Sequence, residues 1–131
     1  MKGIYVLIIK LHANIRISIG ALGELAFPAG LYAYVGSAQN SLEKRATRHL
    51  RKEKRLFWHI DYLLNNEGAR VIDVLCKEGL KMEECHIASL LEANAKPIYG
   101  FGCSDCRCRS HLFFAQNFDF LRNHMQPLEL S

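Results

Sequence analysis

Residues 3–11, GIYVLIIKL, are apolar at nearly every position and rich in β-branched side chains. A run of this kind reads as a strand covered on both faces, since a strand with one face in water would alternate. A sheet with material on both sides is therefore the expected frame. The uninterrupted apolar part, Ile4 to Ile9, is six residues long and stops at Lys10, far short of the ~20 residues a membrane helix needs. With only Lys2 ahead of it, the run does not make a signal peptide either. The expectation is a cytoplasmic protein without a membrane segment.

Working outward, residues 15–19 (IRISI) alternate as a half-exposed strand does, and the stretch holding Gly20, Gly23, Pro28 and Gly30 supplies loop punctuation. Residues 31–35 (LYAYV) give a third strand, closed by Gly36. Three strands before any helix imply an antiparallel start. From Ser41, a plausible N-cap, the period changes: Leu42, Ala46, His49 and Leu50 recur at helical spacing. A second helix fits 57–65, a strand 70–76 and a third helix 83–94 before Pro97, and the aromatic stretch 112–120 reads as a strand or turn. No repeat or linker interrupts the chain, so one α/β domain over 1–131 is expected, with an antiparallel sheet of about four strands flanked by helices. At 131 residues, half of them apolar, disorder and collagen-like repetition are excluded.

Charge is distributed unevenly. The net charge is +4, yet residues 44–55 (KRATRHLRKEKR) alone carry seven Lys or Arg against one Glu. The positive excess lies in this one basic helix and its exit, and the remainder is slightly acidic. Such a stripe is the electrostatic footprint of phosphate binding. Lys44, Arg48, Arg51, Lys52, Lys54 and Arg55 are the candidate nucleic-acid contacts, and a solvated helix face is the plainer alternative.

Three pieces stand in order along the chain: Gly3-Ile4-Tyr5 on the first strand, Tyr34-Val35-Gly36 at the end of a later one, and Arg45 followed four positions on by His49. This set resembles the GIY-YIG nuclease superfamily over roughly residues 3–92. Together with the FWHIDYLL and FGCSDCRCRSHLF stretches, it looks most like a compact branch found alone or attached to DNA-repair glycosylases. The resemblance implies a divalent-metal-dependent endonuclease acting on DNA in repair or processing, with DNA and a repair protein as partners. A non-catalytic nucleic-acid-binding module that keeps the nuclease shape is the alternative, and Ser37, where some members place a Lys, favours it. Tyr5 and Tyr34 are 29 residues apart, more than the family's usual hairpin, so an inserted strand or hairpin between the two motif strands is expected.

The resemblance assigns Tyr34 to orienting or deprotonating the attacking water, Arg45 to the phosphate, and Tyr5 and His49 to the surrounding hydrogen-bond network. It also implies one metal-binding glutamate. Glu84, in the first turn of the third helix, is favoured, and Glu92 near its exit is the alternative. One carboxylate suffices for Mg²⁺ or Mn²⁺, because such an ion keeps most of its waters and completes its shell from substrate phosphate. Arg suits the phosphate because its planar fork meets two oxygens at once.

Each assignment has a plainer reading. Tyr5 could be a core aromatic, Tyr34 could form an aromatic ladder with Tyr32, two residues back, and Arg45 with His49 could be a surface pair. Tyr32 also competes with Tyr34 for the same role. His59 could be a second active-site imidazole or a packing residue, and Asp61 reads as surface. Five cysteines is an odd number, which suits reduced thiols. Cys103, Cys106, Cys108 and His111 have the ligand types of a zinc site, but four ligands within nine residues leave little chain to wrap a tetrahedron. A thiol or zinc regulatory protein is the third class kept open. The aromatics Phe101, Phe113, Phe114, Phe118 and Phe120 suit either core or a dimer face, and oligomeric state is left open.

Overall fold

The computed structural model describes residues 2–51, 55–102 and 109–129. In chain order they form β1 (Gly3–Leu11), β2 (Ile15–Ser18), a short 3-10 turn, β3 (Glu24–Phe27), β4 (Gly30–Ala38), α1 (Leu42–Leu50), α2 (His59–Leu64), β5 (Ala69–Glu78), α3 (Met82–Asn94), β6 (Lys96–Pro97), β7 (Leu112–Ala115), a second 3-10 turn and β8 (Gln126–Pro127). The main sheet runs β6-β7-β4-β1-β5-β8, and its paired strands are antiparallel. It has six strands rather than the four expected. The additions, β6 and β8, are two residues each and exist only by pairing with β7 and β5, so no periodicity announces them. β2 and β3 make a separate two-stranded sheet, which is the hairpin expected between the motif strands. Its second strand falls in the stretch read as loop.

β1 is central because both of its faces are apolar. Tyr5, Leu7, Ile9 and Leu11 pack into a core with α1 and α2. Ile4, Val6 and Ile8 pack on the opposite face with Ile87, Ala88 and Leu91 of α3 and the C-terminal Phe118, Leu121 and Met125. Successive strand residues point to opposite faces, so one strand feeds two cores. Each fully buried Leu or Ile contributes about 1.5–3 kcal/mol relative to exposure. Of the five C-terminal phenylalanines, Phe101, Phe113 and Phe118 are buried in the core, and Phe114 and Phe120 are partly buried against the same clusters. No helix among the described residues is long and apolar enough to cross a membrane.

Two departures from the expected pattern have local causes. Ile72 is exposed because the β1–β5 register shifts there, Ile8 facing Asp73 and Ile9 facing Val71; the extra residue is left out of the ladder. Leu50 is exposed while His49 is buried. Seven residues after Leu42 the helix returns to the same face, and one further residue turns away by about 100°.

The α1 entry follows the sequence. Ser41 caps it, its hydroxyl accepting from the Lys44 amide at 3.2 Å, and Leu42, Ala46 and His49 are its buried residues. At the sheet's centre, Tyr5 is paired opposite Gly36, and a Cβ built on Gly36 would collide with the Tyr5 phenol. Gly36→Ala should therefore destabilise the fold by about 1–3 kcal/mol, the usual cost of overpacking. Urea denaturation measures it, and a midpoint equal to wild type would contradict the close approach.

Candidate active site

The strand and helix ends that carry the motif residues open onto one cleft of about 620 Å³. Tyr5 and Tyr34 stand on the same face of adjacent antiparallel strands, Tyr34 opposite Leu7, with ring centroids 6.5 Å apart. The Tyr5 hydroxyl lies 2.7 Å from His49 Nε2, and the His49 ring is 5.3 Å from that of Tyr5 and 6.2 Å from that of Tyr34. One helical turn before His49, Arg45 lines the cleft. Its Nη1 donates to the Ser37 carbonyl at 3.2 Å, and its guanidinium lies 4.5 Å over the Trp58 ring.

Burial raises both phenols well above their ordinary range. The charge of Glu84 adds to the effect on both, and the Arg45 guanidinium opposes it. The tyrosines are thus held protonated, and the Tyr5 hydroxyl donates to His49 Nε2 in the tautomer that carries its proton on Nδ1.

Glu84 lines the cleft. Its side chain is 12% exposed, and Oε1 lies 3.3 Å from Nδ1 of the buried His111. His111 is fixed in turn by its backbone, whose N–H donates to the Phe101 carbonyl and whose carbonyl accepts from the Val35 amide, both at 2.9 Å. Glu92, two turns farther along α3, instead pairs with Arg109 at 3.4 Å and is absent from the cleft lining. Of the two candidate glutamates, Glu84 is the one brought to the tyrosines.

Of the four residues of the zinc reading, the described residues include His111 alone. His111 faces Glu84, and among the described residues no group of three or more His, Cys, Asp or Glu could hold a metal ion. Cys103, Cys106 and Cys108 lie outside the described residues, as do Lys52 and Lys54 of the basic stripe.

The surface expectation for Asp61 is wrong. Asp61 is 0% exposed, and its carboxylate accepts from both Arg48 nitrogens at 2.9 and 3.0 Å and from the Phe57 and Trp58 amides at 2.9 and 2.8 Å. Burial pushes its pKa up and is the largest single influence, but the Arg48 and amide donors together leave it below the ordinary carboxylate value. Arg48, expected among the DNA contacts, also donates to the Arg55 carbonyl at 3.2 Å and lies 4.2 Å over the other partner of Arg45, Trp58. Its guanidinium is committed to structure. Lys44, Arg51 and Arg55 are exposed.

His59 lines the cleft; its Nδ1 accepts from the Gly102 amide at 2.9 Å, and burial lowers its pKa, so the neutral ring is both wall and anchor. Tyr32 points elsewhere, its hydroxyl donating to the Pro28 carbonyl at 2.6 Å and its pKa pushed up by burial to about 12. Sequence reasoning missed Phe57, Trp58, Lys81 and Gly102 as cleft residues. The aromatic pair ahead of His59 was the available signal for the first two.

Residues 4–129 match the model of a family described as Domain of unknown function DUF123. No curated protein and no solved structure matches the chain.

Asp61→Asn should cost about 2–3 kcal/mol at neutral pH by weakening charge-assisted hydrogen bonds. Because the folded carboxyl titrates below its unfolded value, its stabilisation is complete above the ordinary carboxylate range and lost as pH falls through the depressed value. Urea denaturation of both proteins from pH 7 downward should show the difference narrowing below about pH 4, and a pH-independent gap would contradict the assignment.

Proposed function

The chain belongs to the Domain of unknown function DUF123 family, and we propose that it is a divalent-metal-dependent endonuclease that hydrolyses DNA phosphodiester bonds in repair or processing. The observation that carries this reading is the convergence on one cleft of Tyr5, Tyr34, Arg45 and Glu84, from β1, β4, α1 and α3, with His49 bonded to Tyr5. A packing role alone would not require a guanidinium and a carboxylate beside two buried phenols.

Glu84 would hold the cation. A lone carboxylate fits Mg²⁺ or Mn²⁺, which retain waters and take further oxygens from the substrate; it does not fit an ion that needs several protein ligands. When bound, the cation supplies positive charge to the phosphoryl oxygens and makes a nearby water easier to deprotonate. Arg45 grips non-bridging oxygens with its planar fork. Tyr34 orients the attacking water through its hydroxyl. As the water oxygen bonds to phosphorus, its proton passes to the Tyr5 oxygen while the Tyr5 proton moves to His49 Nε2, and the bond to the leaving oxygen breaks, that oxygen keeping the electron pair and taking a proton from solvent. A concerted transfer suits phenols that burial holds protonated, since no free phenolate has to form first.

The test is nicking of supercoiled DNA with Mg²⁺ by wild type and by Tyr34→Phe, Arg45→Ala and Glu84→Gln. Each variant should lose about 10²-fold or more in rate while keeping its thermal midpoint. Binding without cutting by wild type under Mg²⁺ and Mn²⁺ would identify the non-catalytic module instead. Binding measured in chelator should weaken with salt, log K falling against log salt with a slope of roughly −4 to −5 for about five neutralised phosphates. A flat response would remove DNA as the partner.

A further inference from the structure

Phe57 is the most exposed large apolar side chain among the described residues, at 73%, and it lines the same cleft as Arg45, Tyr34 and Glu84. It is not a loose side chain. Its amide donates to Asp61 at 2.9 Å, and its ring meets Trp58 edge-on, with centroids 5.8 Å apart and planes at 80°. Trp58 is held in turn beneath the Arg45 and Arg48 guanidinium groups. The result is a braced aromatic ring open to water, with the exposed cations Arg51 and Arg55 close by in sequence.

An open aromatic face next to a phosphate grip is the arrangement that single-stranded nucleic acid selects, because every unpaired base has a π-face to stack and every nucleotide a phosphate to neutralise. A base inside a duplex has both faces covered by its neighbours and cannot use such a ring without leaving the stack. The preceding residue, Leu56, lines a second groove with Tyr62 and Asn65.

From this geometry we infer that Phe57 is a stacking platform for an unpaired base adjacent to the phosphate held by Arg45, and that the substrate is single-stranded at that point. The inference rests on the phosphodiesterase reading for its phosphate, but the ring's interaction with a base needs neither metal nor cleavage.

The experiment is therefore run in chelator, by fluorescence anisotropy, with two short labelled strands: one of mixed sequence, and one of the same length carrying abasic residues in its middle. The second strand keeps every phosphate and lacks the bases. Phe57→Ala should weaken binding of the first strand about tenfold and leave binding of the second unchanged, and Phe57→Tyr should bind both as wild type does. This cycle isolates the contact between ring and base. Equal losses on both strands, no loss on the first, or no binding of either strand by wild type would each overturn the inference. A protein that passes this test and fails to cut the mixed-sequence strand once Mg²⁺ or Mn²⁺ is added would sink the endonuclease reading while keeping the stacking site.

Discussion

The phenol of Tyr5 occupies the space that a side chain at position 36 would need, and this exclusion ties the central strand pair to the cleft. β1 lies between β4 and β5 and feeds a core on each face, so its position is fixed by most of the apolar surface the fold buries. Tyr5 is carried at the end of that strand. With glycine opposite it, the ring passes close over position 36 and its hydroxyl reaches His49 of α1. Packing energy spread over the whole sheet thus sets a single hydrogen bond at the site.

Two arginines one turn apart share one tryptophan, but their surroundings separate them. Arg48 meets the buried carboxylate of Asp61 with both of its terminal nitrogens. That pair closes the segment between α1 and α2, since Asp61 also takes the amides at 57 and 58. Arg45 makes its hydrogen bond to a neutral carbonyl, that of Ser37, and faces the cleft. A guanidinium already matched to a carboxylate has little left for a phosphate, whereas one bonded to a carbonyl keeps its charge and most of its donors. The division of labour between residues 45 and 48 comes from Asp61 rather than from the helix that carries both.

Much of this arrangement is legible from local pattern. The doubly apolar run at 3–11, the Ser41 cap, the four-residue step from Arg45 to His49 and the glutamate in the first turn of α3 each rest on neighbours close in sequence. What escaped depends on partners far away. Asp61 sits in a helix whose other inward residues are aliphatic; the amides at 57 and 58 are local partners, but the arginine that matches its charge is thirteen residues back. β6 and β8 are strands only because β7 and β5 offer them an edge. His111 is held by the backbone of Phe101 and Val35 and its ring meets Glu84, contacts that the pattern of its own segment does not show. In each case the deciding contact is tertiary.

The electrostatics of the cleft bear on when the proposed chemistry can run. Both phenols are raised by burial and by the charge of Glu84, and lowered by Arg45. A phosphodiester entering alone would add a second negative charge near Glu84 and raise the phenols further, which opposes proton transfer from water. Only an accompanying cation reverses that sign, by offsetting the carboxylate and the phosphate together. The chain's own residues therefore favour a state with the phenols protonated, and in the proposed mechanism a phosphate would be held by Arg45 without cleavage until the cation arrives. On that proposal, binding and bond breaking would be separated by the same buried tyrosines that a purely structural reading assigns to the core.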